Sequence, residues 1–199
     1  MGVLDFESNF LFYGEYHNNI FNVLVHIVFV PVILWSVLVW LSFTGPLLTV
    51  PASVIAAVGP TLAPYVAGLT INANFLYIFG SWVFYLLLEP VAATLYTPFL
   101  LGLSYSATKF ATEVEDAAKL ALIIHVVSWI MQFAGHGFAE KRAPALLDSL
   151  VQAMVMAPFF VFYEVLMFLG YRPSFRHRME EETKKRIAVF KASQAAKTK

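Results

Sequence analysis

Four of the five histidines of this 199-residue chain lie in or beside long uncharged stretches, where an imidazole is costly unless it pairs or ligates. His17 follows Tyr13 and Tyr16 in FYGEYHNNIFNVLVH, and Asn19, Asn22 and His26 then recur at i, i+3 and i+7, one face of a helix. In HVVSWIMQFAGHGFAE, the residues His125, Trp129, Gln132, His136 and Glu140 fall within an arc of about 80° at 3.6 residues per turn. The chain has no Cys, so any metal must sit on His, carboxylate or water, and disulfides, thiolate sites and iron–sulfur clusters are excluded.

Spacing limits what either stripe can do alone. His125 and His136 stand about 16 Å apart along a regular helix, and His17 and His26 about 13 Å, whereas imidazoles sharing one ion must each reach it at about 2 Å. Each stripe therefore offers one or two ligands; convergence of both would offer three or four, enough for iron or zinc with open positions. Gly135 and Gly137 flank His136 and allow the helix to bend or unwind there, and Asn18 and Asn19 are turn and cap residues that let the chain fold back before Asn22. The competing reading of these polar residues is interhelical hydrogen bonding. Glu140, Lys141 and Arg142 read equally as interfacial anchors or as catalytic groups, Glu140 first among them. His177, in RPSFRHRME, reads as a solvated tail residue.

The elements that must carry these stripes are membrane helices. Hydrophobic residues make up 59% of the chain and charged residues 13%, about half the charge of a soluble domain, and no Asp, Glu, Lys or Arg lies between Glu15 and Glu89. The thirteen basic and thirteen acidic residues balance, so no basic excess points to a nucleic acid. We expect an all-α, polytopic integral membrane bundle with about five to six segments: Asn22 to Phe43, Ala73 to Leu88, Val91 to Ser106, Leu120 to Phe138 and Leu150 to Leu169, with the Pro-rich Gly45 to Gly68 region as a broken, re-entrant or further crossing segment. Glu89-Pro90 reads as a tight reversal with Glu89 at a membrane face. We expect residues 1–171 to form a membrane-embedded domain and 172–199 a basic tail. Nine of the thirteen Lys and Arg fall from Arg172 onward, which assigns that tail to the cytosol, together with Lys109 to Lys119. Within it, EEETKKRIAVFK reads as a solvated juxtamembrane helix and SQAAKTK as disordered. The acidic N-terminus lacks a basic n-region, unlike a cleavable signal, and no GxGxxG, P-loop or GxSxG motif is present.

Three stretches, FYGEYHNNIFNVLVHIVFVP, WIMQFAGHGFAEKRAPALLDSLVQ and APFFVFYEVLMFLGY, resemble the Mpo-type 2-hydroxy fatty acid dioxygenases, small endoplasmic reticulum membrane proteins. The resemblance implies Fe(II)-dependent α-oxidation, in which a long-chain 2-hydroxy fatty acid and O2 give the acid one carbon shorter and CO2, a step from phytosphingosine to odd-chain fatty acids. By position it implies iron ligation by His17, His26 and His136, with His125 as a further candidate. Asn22 and Gln132 would then orient imidazoles or the substrate carboxylate. The reading from another class is a non-enzymatic membrane lipid-binding scaffold or small transporter, which predicts no bound metal. A di-iron desaturase would need many more His in HxxxH and HxxHH boxes than five His provide.

Overall fold

A computed structural model describes residues 2–67, 70–140 and 152–197. The regular elements among the described residues are all helices: α1 (Phe6–Tyr16), α2 (Ile20–Ser42), α3 (Ala52–Ala57), α4 (Gly59–Ala67), α5 (Ala73–Leu88), α6 (Pro90–Glu113), α7 (Ala117–Ala134), α8 (Ala157–Phe168) and α9 (Pro173–Lys197). Helix α7 runs on into a π-helical segment, Gly135–Glu140, and a second π segment, Gln152–Met156, leads into α8.

Side-chain caps start several of these helices at the places where short polar residues interrupt the apolar runs. Asn19 Oδ1 accepts the Phe21 N–H at 2.9 Å at the head of α2, and Asn72 Oδ1 accepts the Phe75 N–H at 2.9 Å at the head of α5. Glu89 adopts an extended backbone between α5 and α6 and caps the latter, its Oε2 accepting the Ala92 N–H at 2.6 Å, with Pro90 at the first helical position. The reversal expected at Glu89-Pro90 is thus present. Glu89 itself is buried rather than exposed at a face, and its Oε1 accepts the Tyr171 hydroxyl at 3.1 Å and lies 3.6 Å from Arg172, tying this corner to the entry of α9.

Helix α2 is the hub of the bundle and packs against α5, α6, α7 and α8. It runs antiparallel to α7: Trp40 Nε1, near the end of α2, donates to the Ala118 carbonyl at 3.1 Å, while His26, near its start, meets His136 beyond the end of α7. Ser42, Asn74, Ser104 and Thr108 join α2, α5 and α6 at the far end, Asn74 Nδ2 donating to Ser42 Oγ at 3.0 Å and to the Ser104 carbonyl at 2.9 Å. Between these ends the core is apolar and aromatic, with Tyr85 stacked on Phe159 at 4.6 Å and Leu38 and Val39 fully buried.

Among the described residues two helices, α2 and Ala117–Glu140, are long and apolar enough to cross a membrane, and the bent pair Met154–Phe168 and Pro173–Ser193, at 118°, is a third candidate. Of the five to six segments expected, the others are absent from this set either because the apolar run folds as short helices or, for the 24-residue α6, because the helix is less apolar. Gly45 to Gly68 breaks into α3 and α4 of 6 and 9 residues, α5 has 16 and α8 has 12. The expected start of the last span at Leu150, and the anchors Lys141 and Arg142, lie outside the described residues.

The charged segments also separate. Lys109 follows Thr108 at the far end of α2, whereas α9 lies along α1 at the opposite end, with Arg186 bound to Glu15 at 3.2 Å and Thr183 against Gly14. A 23-residue helix rises about 34 Å between these ends, so Lys109 to Lys119 do not share a face with the C-terminal tail. The tail is a continuous helix to Lys197, including most of the stretch expected to be disordered, and it is not fully solvated. Phe175, Met179 and Thr183, at i, i+4 and i+8, are buried, with Phe175 and Met179 in the common core.

Candidate metal centre

Three imidazoles meet where the head of α2, the end of α1 and the π segment after α7 come together. One ring nitrogen from each of His17, His26 and His136 lies within 4.8 Å of the other two. Their ring centroids are 4.3 Å apart for His17 and His26, 4.9 Å for His17 and His136, and 4.8 Å for His26 and His136, all edge-on.

Each imidazole is placed by a local feature of its segment. Helix α1 ends at His17, whose backbone leaves helical values while its N–H still bonds to the Gly14 carbonyl at 3.2 Å. Asn18 and Asn19 then turn the chain into α2, which brings His17 back over His26 in place of the 13 Å of a continuous helix. His136 owes its aim to the π segment, which begins at Gly135 and widens the turn. Gly135 also permits the close approach of the two helices, because a Cβ there would stand 2.6 Å from Asn22 Oδ1.

Hydrogen bonding prepares two of the rings as ligands. His17 Nδ1–H donates to the Tyr13 carbonyl at 2.8 Å, and His26 Nδ1–H donates to the Asn22 carbonyl at 2.9 Å. A carbonyl only accepts, so the proton of each neutral ring is on Nδ1 and the lone pair on Nε2. Burial, with His26 and His136 beside it, holds His17 well below the usual imidazole range and therefore neutral. Tyr13 lies flat on His17, centroids 4.1 Å apart at 12°, and burial holds its phenol well above the usual range.

The donor set fits a divalent transition metal. Three neutral nitrogens with no carboxylate among them suit iron or zinc, and bonds of about 2 Å require each nitrogen to move inward by less than about 1 Å. Several buried polar atoms around the triad also lack partners: His136 Nδ1, Asn22 Oδ1, Gln132 Nε2 and the Tyr13 hydroxyl. Unpaired polar groups clustered at one site are expensive in a finished core and ordinary in a site built to receive a polar ligand.

The remaining sequence candidates are distributed as follows. Asn22 is fully buried, its Nδ2 donating to the Tyr16 carbonyl at 3.1 Å and to Glu140 Oε1 at 3.3 Å. Gln132 is buried one turn before His136. His125 is not brought to the triad. It faces the middle of α2, where its Nε2 accepts the Trp129 indole N–H at 2.9 Å and its Nδ1 pairs with Ser36 Oγ at 2.8 Å, so both ring nitrogens are occupied. Glu140 does not join the ligand cluster either; its Oε1 accepts the N–H groups of Asn18 and Asn19 at 2.8 and 2.7 Å. The sequence reading missed the stacking of Tyr13, although its i, i+4 spacing to His17 would have shown it.

Comparison with known proteins gives two matches. Residues 3–169 match the model of a family described as 2-hydroxy-palmitic acid dioxygenase Mpo1-like. The chain is 33% identical over 181 residues, 91% of each chain, to the 2-hydroxy-palmitic acid dioxygenase MPO1 of Saccharomyces cerevisiae. No solved structure matches.

Proposed function

This chain belongs to the Mpo1-like family of 2-hydroxy-palmitic acid dioxygenases, and from that membership we propose that it oxidises long-chain 2-hydroxy fatty acids by an Fe(II)-dependent α-oxidation. The observation that carries the metal requirement is the convergence of His17, His26 and His136 from three segments far apart in sequence. The scaffold or transporter reading is not favoured.

The balanced reaction is RCH(OH)COOH + O2 → RCOOH + CO2 + H2O, in which the C1–C2 bond breaks, C2 is oxidised to the new carboxyl and no external reductant is consumed. Iron(II) held by the three imidazoles would supply open positions for O2 and for the carboxylate and 2-hydroxyl of the substrate. The chain supplies the rest. The Tyr13 and Asn22 carbonyls hold two rings with Nε2 free, and the buried Gln132 amide and Tyr13 hydroxyl are donors suited to a carboxylate beside the triad. The exposed apolar residues Leu24 and Val28 of α2 and Ile130 and Phe133 of α7 suit contact with lipid chains, from which a long-chain acid would be drawn.

We place the protein in the endoplasmic reticulum membrane, with α1, the triad and the basic helix α9 on the cytosolic side. Helix α9 lies against α1, which puts the two on one face of the bundle. Residues 1–171 then form the membrane-embedded catalytic part and 172–199 a docked cytosolic helix.

The test is conversion by isolated membranes. Feeding 2-hydroxypalmitate under air should release pentadecanoate and CO2, and neither anaerobic membranes nor unhydroxylated palmitate should do so. Equal yield without O2 would remove the dioxygenase assignment.

A further inference from the structure

Three donors, two from the turn between α1 and α2 and one from the first turn of α2, end on a single oxygen of Glu140. The backbone N–H groups of Asn18 and Asn19 reach Oε1 at 2.8 and 2.7 Å, and Asn22 Nδ2 reaches it at 3.3 Å. Asn19 Nδ2 adds a contact to the Ala139 carbonyl at 3.4 Å. These partners are adjacent to the ligand cluster. Asn18 directly follows His17, Asn22 provides through its carbonyl the acceptor that orients His26, and Glu140 stands four residues after His136 on the same π segment.

We propose that Glu140 is a positioning residue that sets the separation of the three imidazoles by clasping the turn between α1 and α2 to the end of α7. The proposal rests on the metal-site reading above and deepens it. Among the described residues the other hydrogen bonds between α2 and α7, Trp40 to the Ala118 carbonyl and Ser36 to His125, lie toward the middle and far end of α2, so Glu140 is the polar tie at the triad's own end, where a slip of one helical turn, about 5.4 Å, would exceed the whole width of the triad. A carboxylate meeting the N–H groups at the head of α2 also lies where the helix dipole favours negative charge. All three bonds end on Oε1 and none on Oε2, so what separates this role from acid–base catalysis is Glu140→Gln, which keeps an accepting oxygen and removes the base.

Because all three bonds end on Oε1, a glutamine can make them with its amide oxygen, whereas alanine can make none. The test is Co(II) binding to the detergent-purified full chain, followed by visible absorption in competition with a chelator, for wild type, Glu140→Ala, Glu140→Gln and His17→Ala. Glu140→Ala should weaken Co(II) binding about 10- to 100-fold, the range seen when groups supporting metal ligands are removed. Glu140→Gln should recover most of that loss and keep the pH profile of turnover. Wild-type affinity in Glu140→Ala together with weakened binding in His17→Ala overturns the proposal alone. Undiminished binding in His17→Ala overturns the metal-site reading and the proposal with it. Glu140→Gln binding as weakly as Glu140→Ala, or losing one limb of the pH profile, also overturns it, and this arm decides the matter if the alanine variant fails to fold.

Discussion

Gly135 lies so close to Asn22 that a Cβ added to it would stand 2.6 Å from Asn22 Oδ1 and 3.4 Å from Val25 Cγ1. Asn22 cannot easily yield, since its amide is held by the Tyr16 carbonyl and Glu140. Gly137, two residues on, meets nothing within 4 Å. Gly135→Ala should therefore cost about 1–3 kcal/mol as an overpacked contact and reduce metal binding, while Gly137→Ala should be neutral or slightly stabilising. Thermal unfolding of the two purified variants checks the contrast, and equal stability would show that α2 and α7 have room to part.

The four histidines in the apolar stretches should divide three to one. His17→Ala, His26→Ala and His136→Ala should each lose bound iron and turnover, whereas His125→Ala should keep its iron, because His125 bonds to Ser36 and Trp129 away from the cluster. Elemental analysis alongside product formation reads both properties. Chelation of the wild type should abolish turnover and iron(II) should restore it.

The metal-free protein should weaken in acid. Burial depresses the His17 pKa in the folded state, so below about pH 6.5 the unfolded chain binds a proton there that the folded chain refuses. Stability contributed at this position is intact above that pH and falls as pH drops through it. Unfolding of chelated protein at pH 7.5 and 5.5 should show the loss, and His17→Gln should flatten the slope. An unchanged slope in His17→Gln would place the acid sensitivity elsewhere.

Helix α9 should be held by its apolar face rather than by its ion pairs. Phe175, 7% exposed, sits among Phe6, Phe10 and Tyr163, and its replacement by Ala should cost about 3 kcal/mol. Arg178 pairs with Glu7 at 2.9 Å, but both side chains are about half exposed, so Arg178→Gln should cost less than about 1 kcal/mol. A larger effect from Arg178 than from Phe175 would reverse the assignment.

Much of the centre was legible because polar residues inside apolar runs are scarce enough to count. His17, His26, His125 and His136 stood out in this way, the family resemblance narrowed them to His17, His26 and His136, and the glycines around His136 marked the place where the helix departs from α geometry. Helix-wheel arithmetic put His125 on the same stripe as His136 but carried no information about what α2 offers opposite it, which is Ser36. The role of Glu140 was hidden for a related reason, since its partners are backbone N–H groups of a turn more than a hundred residues away. The number of crossings was less legible, because hydropathy measures composition whereas a crossing also needs a long helix, and the Pro-rich stretch supplies only short ones. The docking of α9 was readable in Phe175, Met179 and Thr183, a stripe masked by the charges around it.

The π segment from Gly135 to Glu140 sets aim against robustness. A π turn is most simply an α-helix that has gained one residue, and its backbone is less favourable than the regular form it replaces. Deleting Gly137 would let α7 continue as an ordinary helix, rotating everything beyond the deletion relative to His136 and taking Glu140 off the turn it grips. The shortened protein would recover regular helix geometry and lose the three hydrogen bonds that end on Glu140, so the one residue that spoils the helix holds both the aim of His136 and the grip on the chain before α2.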